Sequence, residues 1–188
     1  RSHRLTKETV FANILNTAFV GTAGGDGKPL CAADHPTLAG DQANEPQTGA
    51  DLSEAALEDA LIAIKGFRDK RGNRIEVDAR SLVIPRQLHF EAHRILRSDL
   101  RVGTPNNDTN AMNDMGMLRD VVTWDYLTDD AAWFIITDVP EGLIRQEREA
   151  PRIRQSEDED TMNIKITSYA RYAASWADWR GVYGSPGT

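Results

Sequence analysis

Met162-Asn163-Ile164-Lys165-Ile166-Thr167-Ser168-Tyr169-Ala170-Arg171-Tyr172-Ala173-Ala174-Ser175-Trp176 is the stretch on which the architecture turns. Every second residue, namely Met162, Ile164, Ile166, Ser168, Ala170, Tyr172, Ala174 and Trp176, is apolar or small, and the alternate positions include Asn163, Lys165, Thr167, Arg171 and Ser175. Strand side chains point alternately to opposite faces, so this rhythm of two predicts one long strand. At about 3.3 Å per residue it runs about 50 Å, whereas a sphere-like domain of this length is only about 40 Å across. Either the strand bends near Ser168 or the molecule is flat and elongated, a shape suited to tiling rather than to enclosing a pocket.

Upstream of that strand, Leu143 to Arg154 reads as a further extended stretch. It carries Arg145, Arg148, Arg152 and Arg154, interleaved with Glu147 and Glu149 and followed at once by Glu157, Asp158, Glu159 and Asp160. Alternating signs of this kind suit a solvated or subunit-facing ribbon. Downstream, Trp179 and Tyr183 join Tyr172 and Trp176 in an aromatic-rich end beside Arg180, residue types enriched in cores and interfaces.

The rest of the chain mixes helices and strands. Val10, Phe11, Ile14, Leu15 and Ala18 form one helical stripe and predict a helix from about Thr6 to Phe19. The Gly-rich run Gly21 to Gly27 ends it, and the segment up to Ala50, with Pro29, Pro36, Gly40 and Pro46, reads as a long loop. A second helix begins near Ser53, whose hydroxyl is placed to cap it, with Leu57, Ala60, Leu61 and Ile64 as its buried stripe and Leu52 as a staple. Ile75 to Val77 and Leu82 to Ile84 read as short strands, and Pro85 suits the first turn of a third helix reaching about Ser98. Gly103 to Gly116, rich in Asn and Asp, reads as an exposed loop, and Val121 to Trp124 with Ala132 to Thr137 as a hairpin. The fold class is α+β.

Composition bounds function from the other side. The chain has 188 residues, 40% of them hydrophobic and 27% charged, with one cysteine and no apolar run near the ~18 residues of a membrane span. Cys31 alone makes no internal disulfide, so packing must hold the fold. A formal charge of -7 repels phosphate backbones, which argues against a sequence-specific nucleic-acid reader. The first residue is Arg1, and the expectation is a trimmed form of something longer.

Candidate chemistry is sparse. His89 and His93, four apart in His89-Phe90-Glu91-Ala92-His93, share a helical face and are suited to one zinc ion, with His35 as a third ligand. In zinc proteases, however, the glutamate follows the first histidine directly, and Glu91 would point about 180° away from the histidine pair at about 100° per residue. His35 has Asp34 beside it and Cys31 four residues before, but no nucleophile motif accompanies them. The glycines of Gly21 to Gly27 lack the Lys-Ser/Thr pair of a phosphate loop.

Taken in order, four stretches resemble the tailed-phage major capsid protein family with its Hong Kong 97-type fold. Phe11-Ala12-Asn13-Ile14-Leu15-Asn16-Thr17-Ala18-Phe19, followed by Gly25-Asp26-Gly27-Lys28-Pro29-Leu30 and Asp34-His35-Pro36, resembles the end of that family's spine helix and the loop after it. Leu82-Val83-Ile84-Pro85 before a helix is similar to its strand-Pro-Pro-helix unit, with one proline here. Val121-Val122-Thr123-Trp124-Asp125-Tyr126-Leu127-Thr128-Asp129 with Ala132-Trp133-Phe134 resembles its strand pair, and Tyr172 to Ser185 its closing strand and Asp-aromatic-Arg-Gly end. Within the family the Mu-like prophage head-subunit branch is the most similar.

The resemblance implies a structural protein without enzymatic activity, metal or cofactor. It implies a peripheral domain from residues 1–51, an axial domain from 52–140, and strands over 141–188 that return to the peripheral domain. It also implies an N-terminal arm and an extended loop, and the expectation is that both are missing from this chain. Partners would be further copies of the chain in pentamers and hexamers, together with scaffold, portal and decoration proteins, in a virion capsid assembled in host cytoplasm, with no membrane. Subunit contacts are expected at Asn107, Asp108 and Asn110, at Arg145, Arg148, Arg152, Glu157 and Asp158, and at Trp179 and Arg180. Two rivals stand beside this reading: a zinc-dependent hydrolase built on His89 and His93, and a soluble adaptor or scaffold module that binds one partner.

Overall fold

The computed structural model describes residues 2–21, 23–100, 109–118, 120–158 and 163–188. Its centre is a four-stranded sheet of β1 (Ala79–Ile84), β2 (Asp120–Thr123), β3 (Trp133–Thr137) and β6 (Val182–Ser185) in the order β2-β1-β3-β6. β1 pairs with β2 in parallel, Leu82 opposite Val121, and with β3 antiparallel, Leu82 opposite Ile135; β6 closes the far edge, Tyr183 opposite Ile135.

Both faces of this sheet are covered, and the two-residue period of each strand sorts its side chains between them. Leu82, Ile84, Trp133, Ile135 and Tyr183 face a cluster completed by α2 (Glu54–Lys65), α3 (His89–Arg97) and α4 (Ala111–Met115), through Leu57, Leu61, Ile64, Ala92, Leu96 and Met112. Their neighbours Val83, Phe134 and Val182 face the opposite cluster, with Leu15 of α1 (Ser2–Asn16) and Ala18, Leu30 and Cys31 beyond it. Asn16 fastens the end of α1 to the turn after β2: its amide donates to the Tyr126 carbonyl and accepts from the Thr128 N–H, both at 3.0 Å.

The second helix forms as its sequence dictates, with the Ser53 hydroxyl accepting from the Ala56 N–H and Leu57, Ala60, Leu61 and Ile64 buried. Elsewhere the structure corrects the expectations. α1 starts at Ser2 and stops at Asn16, and its innermost residues are Ala12 and Leu15, while Val10 is exposed. Residues 75–77 form no strand; Ile75 bonds to the Phe67 carbonyl in a loop. Pro85 caps a 3₁₀ turn, Arg86–Leu88, and α3 follows it. The stretches expected to pair as a hairpin, β2 and β3, are not neighbours, because β1 lies between them. The parallel β1–β2 pair needs a crossover, and α3 and α4 supply it. Part of the Asn/Asp-rich segment is therefore helical: Asn110 caps α4, and Gly116 ends it in the left-handed conformation.

The long alternation forms β5 (Asn163–Trp176), antiparallel to β4 (Leu143–Asp158) in a separate two-stranded sheet. Register slips between Glu147 and Glu149 and again between Glu149 and Arg152. Pro151 lies in the second slip, as expected for a residue that cannot donate to a ladder.

Candidate interaction surface

The hairpin's two faces follow from its register, because directly opposed residues share a side. One face carries Leu143 with Trp176, Arg145 with Ala174 and Glu147 with Tyr172 near the root, then Ile153 with Ser168, Gln155 with Ile166 and Glu157 with Ile164 further out. The other carries Arg152 with Tyr169, Arg154 with Thr167 and Ser156 with Lys165, and Glu149 with Arg171. The outer part of the ribbon is amphipathic, with Ile153, Ile164 and Ile166 on one side and Arg152, Arg154 and Lys165 on the other, whereas near the root Arg145 shares the apolar side and Ile144, opposite Ser175, lies on the other.

Near the root the apolar face is covered. Tyr172, Ala174 and Trp176 are half-buried, and α1 lies against β5. Lys7 of α1 donates to the Glu147 carboxylate at 2.9 Å and sits 5.3 Å from the Tyr172 ring centroid. Hydrogen bonds from Lys7 and then Arg145 hold the Glu147 carboxyl below its ordinary range. Further out the same face is bare: Ile153 is 75%, Ile164 62% and Ile166 69% exposed. A two-stranded ribbon is marginal in water by itself, and its outer backbone edges offer unpaired N–H and C=O groups. Covering three such isoleucines amounts to about 5 kcal/mol of gross hydrophobic gain.

Residues expected at subunit contacts divide sharply. Arg145, Arg148, Arg152 and Glu157 lie exposed on β4; Arg145 meets Glu147 at 3.0 Å and Arg152 approaches Glu149 at 3.7 Å. Asp158 ends β4 opposite Asn163. Asn107 and Asp108 lie outside the described residues. The other three are buried within the chain itself. Asn110 is buried, accepting from the Met112 N–H at 3.0 Å and donating to the Ile95 carbonyl at 2.6 Å. Trp179 and Arg180 are buried too, in a 3₁₀ turn whose Asp178 accepts from both the Arg180 backbone and its guanidinium, while the Arg180 Nε–H donates to the Arg68 carbonyl. Their aromatic and charged character serves the core. Ile153, which the charged run around it conceals, is the residue that sequence reasoning missed; its only signal is the register that sets it opposite Ser168, on the same face as Ile166 and Ile164.

The catalytic rivals find no centre. Among the described residues no three His, Cys, Asp or Glu side chains converge as a metal site. His89 bonds Thr123 Oγ1 at 2.7 Å, and His93 is exposed on α3. His35 is enclosed and bonded to Asp26 rather than to the adjacent Asp34, which pairs with Lys28. Burial pushes the Cys31 thiol well above its ordinary range, so it is no thiolate nucleophile. An apolar groove of about 630 Å³ between α2 and α4 is lined by Leu61, Ile62, Met112, Met115 and Met117, with no histidine or cysteine in its lining. Among the described residues no helix is long and apolar enough to cross a membrane.

A family model described as phage capsid protein matches residues 2–185. No curated protein matches the chain.

Proposed function

This chain belongs to the phage capsid protein family, and from that premise we propose that its copies assemble into an icosahedral shell of the Hong Kong 97 type enclosing phage or prophage DNA. The hairpin β4–β5 then belongs, with residues 1–51, to a peripheral unit, and residues 52–140 form the axial unit directed at the centres of pentamers and hexamers. The observation that carries the reading is the apolar face of the hairpin, covered by α1 near its root and bare at Ile153, Ile164 and Ile166. In a shell, heterologous contacts between identical copies cover such a face and close by symmetry. The opposite, cationic face sets register against acidic surface of a neighbour. The chain's net charge of -7 keeps the wall from adhering to the packaged nucleic acid.

The test is association of the complete gene product, followed by light scattering over a range of concentration and salt and by negative-stain electron microscopy. Rings or closed shells of the single chain support the proposal. Monomers under every condition refute it, and a discrete complex with one different protein favours the adaptor reading.

A further inference from the structure

Away from the hairpin, α3 turns a large aromatic side chain to the outside. Ala92, Ile95 and Leu96 pack into the core, and at about 100° per residue they leave Phe90 on the opposite pole of the helix, where it is 76% exposed. Arg94 and Arg97 lie within about 40° of Phe90 around the same helix, and Arg86 lies one turn before it. All three arginines are exposed, and among the described residues none of them forms an ion pair. The ring is braced from the side: His89, bonded to Thr123 Oγ1 at 2.7 Å, meets it edge-on with ring centroids 5.5 Å apart. The result is a knob, apolar at its centre and cationic at its rim, of the residue types that anchor protein contacts.

The groove between α2 and α4 has the complementary character. Ile62, 71% exposed, stands over it with the exposed Met115, so its walls are apolar and open. Glu58 lines it one turn before Ile62, with Asp59 exposed next to Glu58. Of the cations in the lining, Lys65 is held by Asp78, which leaves Arg74. Lys65, Met115 and Met117 also line an adjoining cleft of about 540 Å³, whose walls carry Asp78, Asp120 and Asp138 with Arg80 as a further cation. Carboxylates therefore outnumber cations around this apolar floor. No residue of α3 lines the groove, so knob and groove are separate surfaces of one chain.

We infer that α3 of one copy inserts Phe90 into the α2–α4 groove of the next copy, with Arg86, Arg94 and Arg97 set against the acidic rim that begins at Glu58. A second copy is the occupant the charges favour, because one chain carries both complements. A phosphate backbone, the other natural target of an arginine and aromatic patch, is opposed by the net charge of -7. Knob and groove being different patches, the contact is heterologous: it adds copies head to tail and closes into a ring where the rotation per copy permits. It rests on the reading that copies of this chain associate, but it uses none of the hairpin's surface.

The test is sedimentation of the complete gene product and its variants, with circular dichroism to verify the fold. Phe90→Asp and Ile62→Asp, both at exposed positions, should each weaken association at least about tenfold. Leu38→Asp, at an exposed apolar position outside both surfaces, should associate like the parent. Arg94→Glu should weaken association too, and adding Glu58→Lys to that chain should recover most of the loss, since the charges are then reversed on both sides of every contact. A parent that assembles while Phe90→Asp or Ile62→Asp assembles equally well overturns this inference and leaves the shell reading standing; a parent that stays monomeric overturns both. An equal loss in Leu38→Asp, or a failure of Glu58→Lys to rescue Arg94→Glu, overturns the pairing of knob with groove. A labelled oligonucleotide retained by the parent and released by Arg94→Glu would assign the arginine face to nucleic acid and overturn it as well.

Discussion

Asn44 stands in a loop with no motif around it, yet it joins more of the molecule than any residue of the hairpin. Its side chain serves the carbonyls of Leu30, Trp179 and Val182, the Ala32 N–H and the His35 ring, and its backbone pairs with Ala32 and Gly184. Each buried group left without a partner costs about 1–3 kcal/mol, so Asn44→Leu should lower stability by about 3 kcal/mol or more in urea unfolding; a loss below about 1 kcal/mol would show that water replaces the amide. Asp26 governs the acid side. Its folded carboxyl lies below the ordinary 3.8, so the stabilisation is present above that value and is lost as pH falls through the lower folded value. Asp26→Asn should therefore be less stable than the parent at pH 6 and show a flatter loss of stability between pH 5 and 2, within the carboxylate range near 4. Equal slopes would sink this. At this scale the sequence was least informative. The pairing of His35 with Asp26 rather than Asp34, and the burial of Asn110 and Arg180, depend on chain segments far apart in number, and local residue types carry no record of them.

The elements were more legible, for a physical reason that also marks the limit. A period is written into each strand or helix by its own burial, so the stripe of α2 and the rhythm of β5 could be read directly. Pairing is decided by what covers the sheet. β2 and β3 are separated by nine residues, near enough to suggest a hairpin, but β1 takes the place between them because the crossover helices bury Leu82 and Ile84 there. The hairpin's attachment is likewise invisible in sequence. At its root Gly142 and Gly181 touch backbone to backbone, and a Cβ on Gly181 would lie 2.3 Å from the Gly142 Cα. Gly181→Ala must push the root of β4 away from the 3₁₀ turn that carries Trp179 and should cost about 1–3 kcal/mol, the usual penalty of overpacking. Gly25→Ala, where a Cβ meets open space, is the control and should fall within about 0.5 kcal/mol of the parent. Thermal melts of the two variants decide it; equal melting temperatures would mean that the root yields freely.

For the molecule as a whole, the question is which face of the ribbon drives association, and salt separates the answers. Ile153, Ile164 and Ile166 contribute little to the isolated fold, since most of their surface is already in water. Replacing all three with threonine preserves β propensity and should leave the melting temperature of the dispersed chain within a few degrees. If covering this face supplies about 5 kcal/mol gross, the same variant should weaken association at least a hundredfold, after discounting the ordering costs of binding. Reversal of Arg148 and Arg152 to glutamate acts differently. Both are exposed and charged, so their contribution lies in steering and register and is screened as ionic strength rises. The arginine variant should associate poorly at low salt and approach the parent at high salt, whereas the threonine variant should stay impaired at every salt concentration. Sedimentation of the three proteins across a salt series, with circular dichroism to verify the fold, reads both effects. An isoleucine variant that assembles like the parent would mean that the bare face is merely solvated, and the assignment of the hairpin as the contact between copies would fall with it.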